Sequence, residues 1–281
     1  MLTVLEIIKR STEFLDKHGV ESARLNAELL IGHALGLKRM QLYLQFERPL
    51  TEAELEKIRP LVKRRSNREP VQYIIGETDF GGLKLKVDRR ALIPRPETEH
   101  LLELLGPRLV APPARILDLG TGSGALALAL AKAYPLSQVT ALDKSPAALA
   151  LAGENAVAVG FAERVRLLES DWFAALPSGE QFDLIVANPP YLSDEEMRAT
   201  EAEVKDFEPT MALSAGPDSS AALVQIITQS GTRLVAGGLL ACETGIAQHA
   251  RLMELSAQAG FSRTESLRDL TGRDRYLLAF R

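Results

Sequence analysis

The stretch Ile116-Leu117-Asp118-Leu119-Gly120-Thr121-Gly122-Ser123-Gly124 decides the reading of this chain. An apolar run of strand length enters a turn built on three glycines, and residues 123–133 continue with helical periodicity. Glycine in such a turn lets the backbone take positive φ and come close to a ligand. A loop of this type serves a dinucleotide, a nucleotide or S-adenosylmethionine. It is not a phosphate-binding P-loop, because no Lys-Ser or Lys-Thr follows the glycines. Nineteen residues beyond Gly124, the next apolar strand, Val139-Thr140-Ala141-Leu142, ends in Asp143. A carboxylate there can accept both ribose hydroxyls of an adenosine-containing ligand; the competing reading is a helix cap before Ser145-Pro146. A third strand leads into Ser170-Asp171-Trp172. Asp171 can bond an adenine amino group, and the Trp172 indole offers a flat apolar surface or simply packs in the core.

The same alternation continues outward. Strands are expected at 115–119, 138–142, 165–169, 182–187, 238–243, 262–268 and 274–280, and helices at 123–133, 146–159, 218–235 and 246–259. Strands alternating with helices predict an α/β fold with a mostly parallel sheet covered on both faces. Only Asp269-Leu270-Thr271-Gly272 separates the last two strands, so these should be antiparallel neighbours. Upstream the character changes. Residues 1–70 read as short amphipathic helices: Thr3 with Glu6 and Thr51 with Glu54 form capping boxes, Ser22 caps another helix, Gly19 and Gly36 end two of them, and Pro60 predicts a kink or break. Residues 71–90, rich in β-branched and aromatic side chains with Gly76, Gly81 and Gly82, read as a β-hairpin linker. Residues 91–281 then form the catalytic domain, opened by a helix behind Pro94, Pro96 and the acids Glu97 and Glu99.

Composition narrows the function. At 281 residues and 46% hydrophobic, the chain can bury a sizeable core. No apolar run reaches the ~18 residues of a membrane span, and the N-terminus reads as an amphipathic helix rather than a signal peptide. One cysteine, Cys242, allows no internal disulfide and suits a reducing compartment, so a cytoplasmic location is expected. Residues 1–72 hold 13 Lys and Arg against 10 Asp and Glu, a net of +3; the rest carries −7 of the overall −4. An acidic catalytic half argues against broad electrostatic binding of nucleic acid. His18, His33, His100 and His249 show no metal-ligand spacing, and no serine stands in a Gly-x-Ser-x-Gly elbow, so metalloenzyme and hydrolase readings lack support.

Chemistry is carried by Asn188-Pro189-Pro190-Tyr191, delivered at the end of the strand Phe182–Ala187, where ligands sit in open α/β sheets. A planar amino group conjugated to a carbonyl or ring is a weak nucleophile, because its lone pair is delocalised. A site that methylates it must accept both N–H hydrogens and turn the nitrogen toward the donor. The Asn188 side-chain oxygen and the Pro189 carbonyl can supply converging acceptors, the prolines fix the geometry, and the Tyr191 ring can stack on the planar group. A sulfonium methyl donor is already activated, so no strong base is needed before transfer. A strand-ending turn is the alternative for Asn-Pro-Pro alone.

These stretches resemble the HemK/PrmC family, the peptide chain release factor glutamine methyltransferases. The resemblance covers about residues 68–250 through Arg68-Glu69-Pro70-Val71-Gln72-Tyr73-Ile74, Leu92-Ile93-Pro94-Arg95-Pro96-Glu97-Thr98-Glu99, the glycine loop, Ser170-Asp171-Trp172-Phe173, Asn188-Pro189-Pro190-Tyr191 and Phe207-Glu208-Pro209. Thr210 stands where the family often has Arg, and Asp218-Ser219-Ser220 where it often has Asp-Gly-Leu. The resemblance implies a seven-stranded Rossmann-like class I methyltransferase sheet behind a small helical domain that docks the substrate. It implies transfer from S-adenosyl-L-methionine to the side-chain nitrogen (N5) of the Gly-Gly-Gln glutamine of class 1 release factors. Gly120, Thr121, Gly122, Ser123, Gly124, Asp143, Asp171, Trp172 and Asn188 would contact the cofactor, and Asn188, Pro189, Pro190 and Tyr191 the glutamine, with no metal, membrane or nucleic acid. An adenine-N6 methyltransferase, which would need its base flipped out of a duplex, is the rival enzyme reading; a cofactor-binding scaffold without turnover is the rival outside enzymes. Arg95 and its acidic neighbours either line the mouth of the site or pin the linker.

Overall fold

A computed structural model describes residues 2–216 and 218–281. The chain divides into two compact units, one running to Glu77 and joined by Glu201–Phe207, the other made of Thr78–Thr200 and Glu208–Arg281.

The first unit holds α1 (Val4–Lys17), α2 (Ala23–Leu35), α3 (Arg39–Tyr43), α4 (Glu52–Ser66) and α5 (Val71–Ile75). Both expected capping boxes form, at Thr3/Glu6 and Thr51/Glu54. Ser22 does not cap α2 with its side chain. Its backbone turns left-handed at φ 48°, away from the extended conformation that an N-cap side chain needs; Asn26 Nδ2 instead donates to the carbonyls of Glu21 and Ser22. Nor does Pro60 break α4: Leu55 and Ile58 before it and Val62 after it are buried in one shared core, with the proline on the exposed side. Residues 71–75, expected as strand, form a helical turn closed by Gly76 at φ 86°. Burial of Tyr73 and Ile74 overrides their β preference. Glu203, on the returning segment 201–207, is held by Arg65 at 2.8 Å and by Arg68 at 2.5 Å, both within this unit.

The hairpin itself is short, β1 (Glu77–Phe80) with β2 (Leu83–Lys86). Behind it come α6 (Pro96–Leu105), β3 (Arg115–Leu119), α7 (Ala125–Ala133), β4 (Gln138–Asp143), α8 (Pro146–Ala158), β5 (Val165–Glu169), β6 (Phe182–Ala187) and α9 (Asp194–Ala199). α10 (Ala202–Phe207) belongs to the first unit; α11 (Ala221–Arg233), β7 (Leu234–Glu243), α12 (His249–Gln258), β8 (Arg263–Arg268) and β9 (Asp274–Phe280) complete the second. α9 and α10 stand in a polar stretch where no element was expected; each spans only six residues and has no fully buried side chain to mark a face.

The sheet has seven strands in the order β5-β4-β3-β6-β7-β9-β8. β3 through β7 pair in parallel, and β9 lies antiparallel to both β7 and β8, so the expected antiparallel partners are neighbours. Side chains alternate between two cores: Ile116, Val139, Val186 and Ala241 pack with α6 and α7 residues on one face, and Leu117, Leu142, Ile185 and Leu240 with α11 residues on the other. Strand order reverses between β3 and β6, which opens a crevice at their C-terminal ends. No helix among the described residues is long and apolar enough to cross a membrane.

Candidate active site

Strand register builds the site. Leu142, Leu119, Ala187 and Cys242 are aligned across β4, β3, β6 and β7. The next residue on each strand is therefore Asp143, Gly120, Asn188 and Glu243, one row at the C-terminal edge of the sheet. Three of these four were legible as site residues in the sequence; Glu243 was not, although it ends the apolar run Leu239-Leu240-Ala241-Cys242.

A cleft of about 1100 Å³, open to solvent, lies over this row. Gly120, Thr121, Gly122, Ser123, Asp143, Asp171, Trp172 and Asn188 all line it; Gly124 caps α7 at φ 84°, with Ala152 Cβ only 3.2 Å from where its own Cβ would stand. The loop is not a phosphate cradle. The N–H groups of Gly120 and Thr121 donate to the Leu142 carbonyl, that of Gly122 to Asp143 Oδ2 at 2.8 Å, and that of Gly124 to the Thr121 carbonyl. Two carboxylates, Asp118 and Asp143, face the cleft, and Lys144 is already paired with Asp171 at 2.8 Å. That balance repels phosphates and suits a cation.

Asp118 is a residue whose role the sequence reading missed. It is fully buried; its Oδ2 accepts from Thr121 Oγ1 (2.6 Å) and the Ala127 N–H (3.2 Å), while Oδ1 has no partner among the described residues. Burial, with repulsion from Asp143 as a smaller cause, pushes its carboxyl up to about 7. The interruption of an apolar strand by an acid was the available signal. Asp143 is also pushed up by burial, and the N–H groups of Ser145 and Gly122 pull it back. Ser145, not Asp143, caps α8 by accepting from the Ala148 N–H. Trp172 sits at φ 50°, an unusual conformation for a non-glycine residue. Its carbonyl accepts from Ser170 Oγ at 2.6 Å, and its ring edge lies 3.7 Å from the Cβ position of Gly120. Asp171 stands half-exposed at the cleft, committed to Lys144.

A smaller cavity of about 330 Å³ adjoins the cleft and shares Asn188, Pro190, Leu92 and Arg95 with it. Pro189, Tyr191 and Glu243 line it as well. Asn188 Nδ2 donates to Thr98 Oγ1 at 2.9 Å, which leaves the Asn188 side-chain oxygen for a ligand. Tyr191 Oη donates to Glu243 Oε1 at 3.0 Å, and the Arg275 guanidinium lies 5.4 Å from the Tyr191 ring centre. Burial, then the neighbouring Glu243 charge, pushes the Tyr191 phenol far above its ordinary value, so it stays protonated. Arg95 lines both cavities and also bonds Glu208, whose other oxygen accepts the Ile93 N–H. It therefore both faces the site and fastens the segment entering α6.

A seven-stranded sheet of this order, a carboxylate-lined cleft without a phosphate cradle, and Asn-Pro-Pro-Tyr at the switch point together define an S-adenosylmethionine-dependent class I methyltransferase. The Asp143 carboxylate and the Trp172 ring, both lining the cleft, fit that cofactor's ribose and adenine. Among solved structures, the chain resembles the catalytic domain of hMettl16 (TM-score 0.56, 16% identity, 82% of each chain) and the T. thermophilus 16S rRNA methyltransferase RsmC (TM-score 0.53, 22% identity, 73% of this chain and 49% of that one), a likeness of fold alone. Residues 6–76 match the PrmC N-terminal domain and residues 97–206 the methyltransferase small domain. Relatives named release factor glutamine methyltransferase are 38% identical in Rhodopirellula baltica (98% of this chain, 95% of the relative) and 40% identical in both Geobacter sulfurreducens (97% and 95%) and Escherichia coli (92% of each). The chain belongs to the release factor glutamine methyltransferase family.

Proposed function

We propose that this enzyme methylates the side-chain amide nitrogen of the Gly-Gly-Gln glutamine of class 1 peptide chain release factors. One observation carries the reading: Asn188 spends its NH2 on Thr98 and keeps its carbonyl oxygen for an incoming N–H, at the junction of the cofactor cleft and the narrow cavity. An amide nitrogen offers two N–H bonds and little lone-pair density. Asn188 Oδ1 and the Pro189 carbonyl take the two hydrogens, and Pro189 and Pro190 keep those acceptors from relaxing. Tyr191, held at its hydroxyl by Glu243, presents its ring to the flat amide. The bound cofactor supplies an activated methyl group on sulfur. Once the nitrogen carries that methyl, its proton is acidic and leaves to solvent, so the site needs no strong base. The adenine-N6 reading is not favoured, since the relatives that match nearly the full chain act, by name, on release factor glutamine.

Asn188→Ala should reduce transfer to a release factor by at least 100-fold and leave cofactor affinity within a few-fold, measured by labelled methyl transfer and calorimetry. Near-normal turnover would remove Asn188 from this role. The same assay should lose its signal when the tip glutamine of the factor is changed to alanine, and label appearing on DNA instead would revive the adenine reading. We further propose that residues 1–70 form a substrate-docking domain, 71–90 a linker and 91–281 the catalytic domain. Deleting 1–70 should raise KM for intact release factor more than the Kd for cofactor; an unchanged KM would sink the docking role.

A further inference from the structure

A chain of hydrogen bonds with a fixed direction runs through the wall of the acceptor pocket. Glu243, 2% exposed at the end of β7, receives two protons' worth of donation: Thr98 Oγ1 donates to its Oε2 at 2.7 Å and Tyr191 Oη to its Oε1 at 3.0 Å. A hydroxyl has one hydrogen. Having given it to Glu243, Thr98 can only accept at its remaining lone pairs. The Asn188 group facing it at 2.9 Å must then be the NH2. If the carboxamide turned over, its oxygen would face an oxygen with no proton to share.

We propose that Thr98 and Glu243 are positioning residues for methyl transfer, fixing which atom of the Asn188 amide meets the acceptor and anchoring the Tyr191 ring. The inference rests on Asn188 and Tyr191 holding the acceptor amide and extends that reading to the residues behind them. Neither Thr98 nor Glu243 need touch the substrate for this. The supporting frame is rigid. Pro96 opens α6, the Glu97 carbonyl accepts from Tyr276 Oη at 2.9 Å, and Glu99 Oε1 accepts from the Gly81 N–H at 2.8 Å. The first turn of α6 is thereby tied to β9, β7 and the hairpin at three consecutive residues, and Thr98 is the middle one. Burial pushes the Glu243 carboxyl up, and the Thr98 and Tyr191 hydroxyls, followed by the nearby Arg275 charge, hold it back.

The relay makes a directional prediction. Thr98→Val keeps the shape and removes the acceptor, so the Asn188 amide is free to rotate between two orientations. Thr98→Ser restores the hydroxyl. Glu243→Gln presents one oxygen and one NH2 where two oxygens accept, so either Thr98 or Tyr191 must accept where it now donates, and the direction of that bond reverses. In steady-state assays with full-length enzyme and release factor, kcat for Thr98→Val should fall on the order of 10- to 100-fold. KM for the factor and Kd for cofactor should stay within about threefold, and Thr98→Ser should recover most of the loss; Glu243→Gln should fall at least as far as Thr98→Val. Nuclear magnetic resonance reads the same point without any acceptor: the Asn188 side-chain NH2 signals, assigned by their absence in Asn188→Asp, should shift and exchange faster in Thr98→Val but not in Thr98→Ser. Wild-type kcat in Thr98→Val would overturn the proposal. So would a loss that Thr98→Ser shares or that follows the melting temperature, since that is what a mere structural pin would give. If wild-type enzyme fails on the glutamine, the proposed substrate falls, and the resonance comparison still decides the relay: NH2 signals indifferent to Thr98→Val refute it.

Discussion

Replacing Asp118 by Asn should make the free protein more stable at pH 8 than at pH 5, relative to wild type. Asp118 is completely buried with one oxygen unpaired, and its carboxyl is pushed from 3.8 up to about 7, mainly by burial. That difference corresponds to roughly 4 kcal/mol between the two protonation states. The sign runs against the usual carboxylate. An acid with a raised folded-state pKa keeps its proton longer when folded, so between about pH 4 and 7 the folded state binds more protons. Stability therefore falls as pH rises through that window, and the full cost is present above about pH 7. Asparagine cannot ionise, and its oxygen can still accept from Thr121 and the Ala127 N–H. Its NH2 replaces the unpaired oxygen with an unpaired donor, a pH-independent penalty of about 1–3 kcal/mol.

Taking the difference between mutant and wild type cancels every other titrating group to first order. From pH 5 to pH 8 the relative stability of Asp118→Asn should rise by about 2–3 kcal/mol, which is roughly 5–10 °C in melting temperature for a protein of this size. Thermal melts of the cofactor-free protein across that range measure it. A difference that stays flat with pH would refute the account of Asp118 as a buried acid held against its ionisation. Calorimetry adds a second reading: a cationic ligand favours the carboxylate, so wild-type affinity for S-adenosylmethionine should strengthen with pH through about 7 relative to Asp118→Asn.

Two further outcomes follow from packing. Gly81 has φ +57°, and a Cβ there would stand 2.6 Å from the Ala129 Cβ on α7, so Gly81→Ala should cost about 2–4 kcal/mol in denaturant unfolding; a loss below about 0.5 kcal/mol would show that the hairpin can move away freely. Glu203→Ala leaves the guanidinium of Arg65, 6% exposed, without its carboxylate, and should cost about 3 kcal/mol in the first unit. It should also raise amide exchange across residues 201–207; unchanged protection there would mean that the segment is held by other contacts.

How much was visible in advance follows from the range of the interactions. The sheet was legible because most strands carry their own apolar run, β8 being the polar exception, and the turns carry glycine or proline, signals that stay within about ten residues. The row Asp143, Gly120, Asn188 could be read for the same reason: every member ends a strand. Residues 71–75 and Ser22 misled because their local preferences, β-branching and N-capping, lost to burial and to a left-handed turn. Residues 194–207 offered only the capping box of Ser193 and Glu196, with no apolar periodicity behind it, and the pairing of Glu203 with Arg65 spans 138 residues.

The acceptor site was only half visible for the same physical cause. Asn-Pro-Pro-Tyr announces itself, but what makes Asn188 an oxygen acceptor rather than an NH2 donor is decided 90 residues away at Thr98 and, through it, 145 residues further on at Glu243. An asparagine can present either end of its amide, and nothing in its neighbours along the chain chooses between them. The choice belongs to the sheet, which brings β6 and β7 side by side in register and leaves a buried carboxylate one residue past Cys242. For a substrate as unreactive as an amide, transfer depends on two N–H bonds being met by two acceptors that do not move. The fold meets that demand by placing a buried carboxyl group beside the asparagine, where through Thr98 it can dictate the direction of a hydrogen bond.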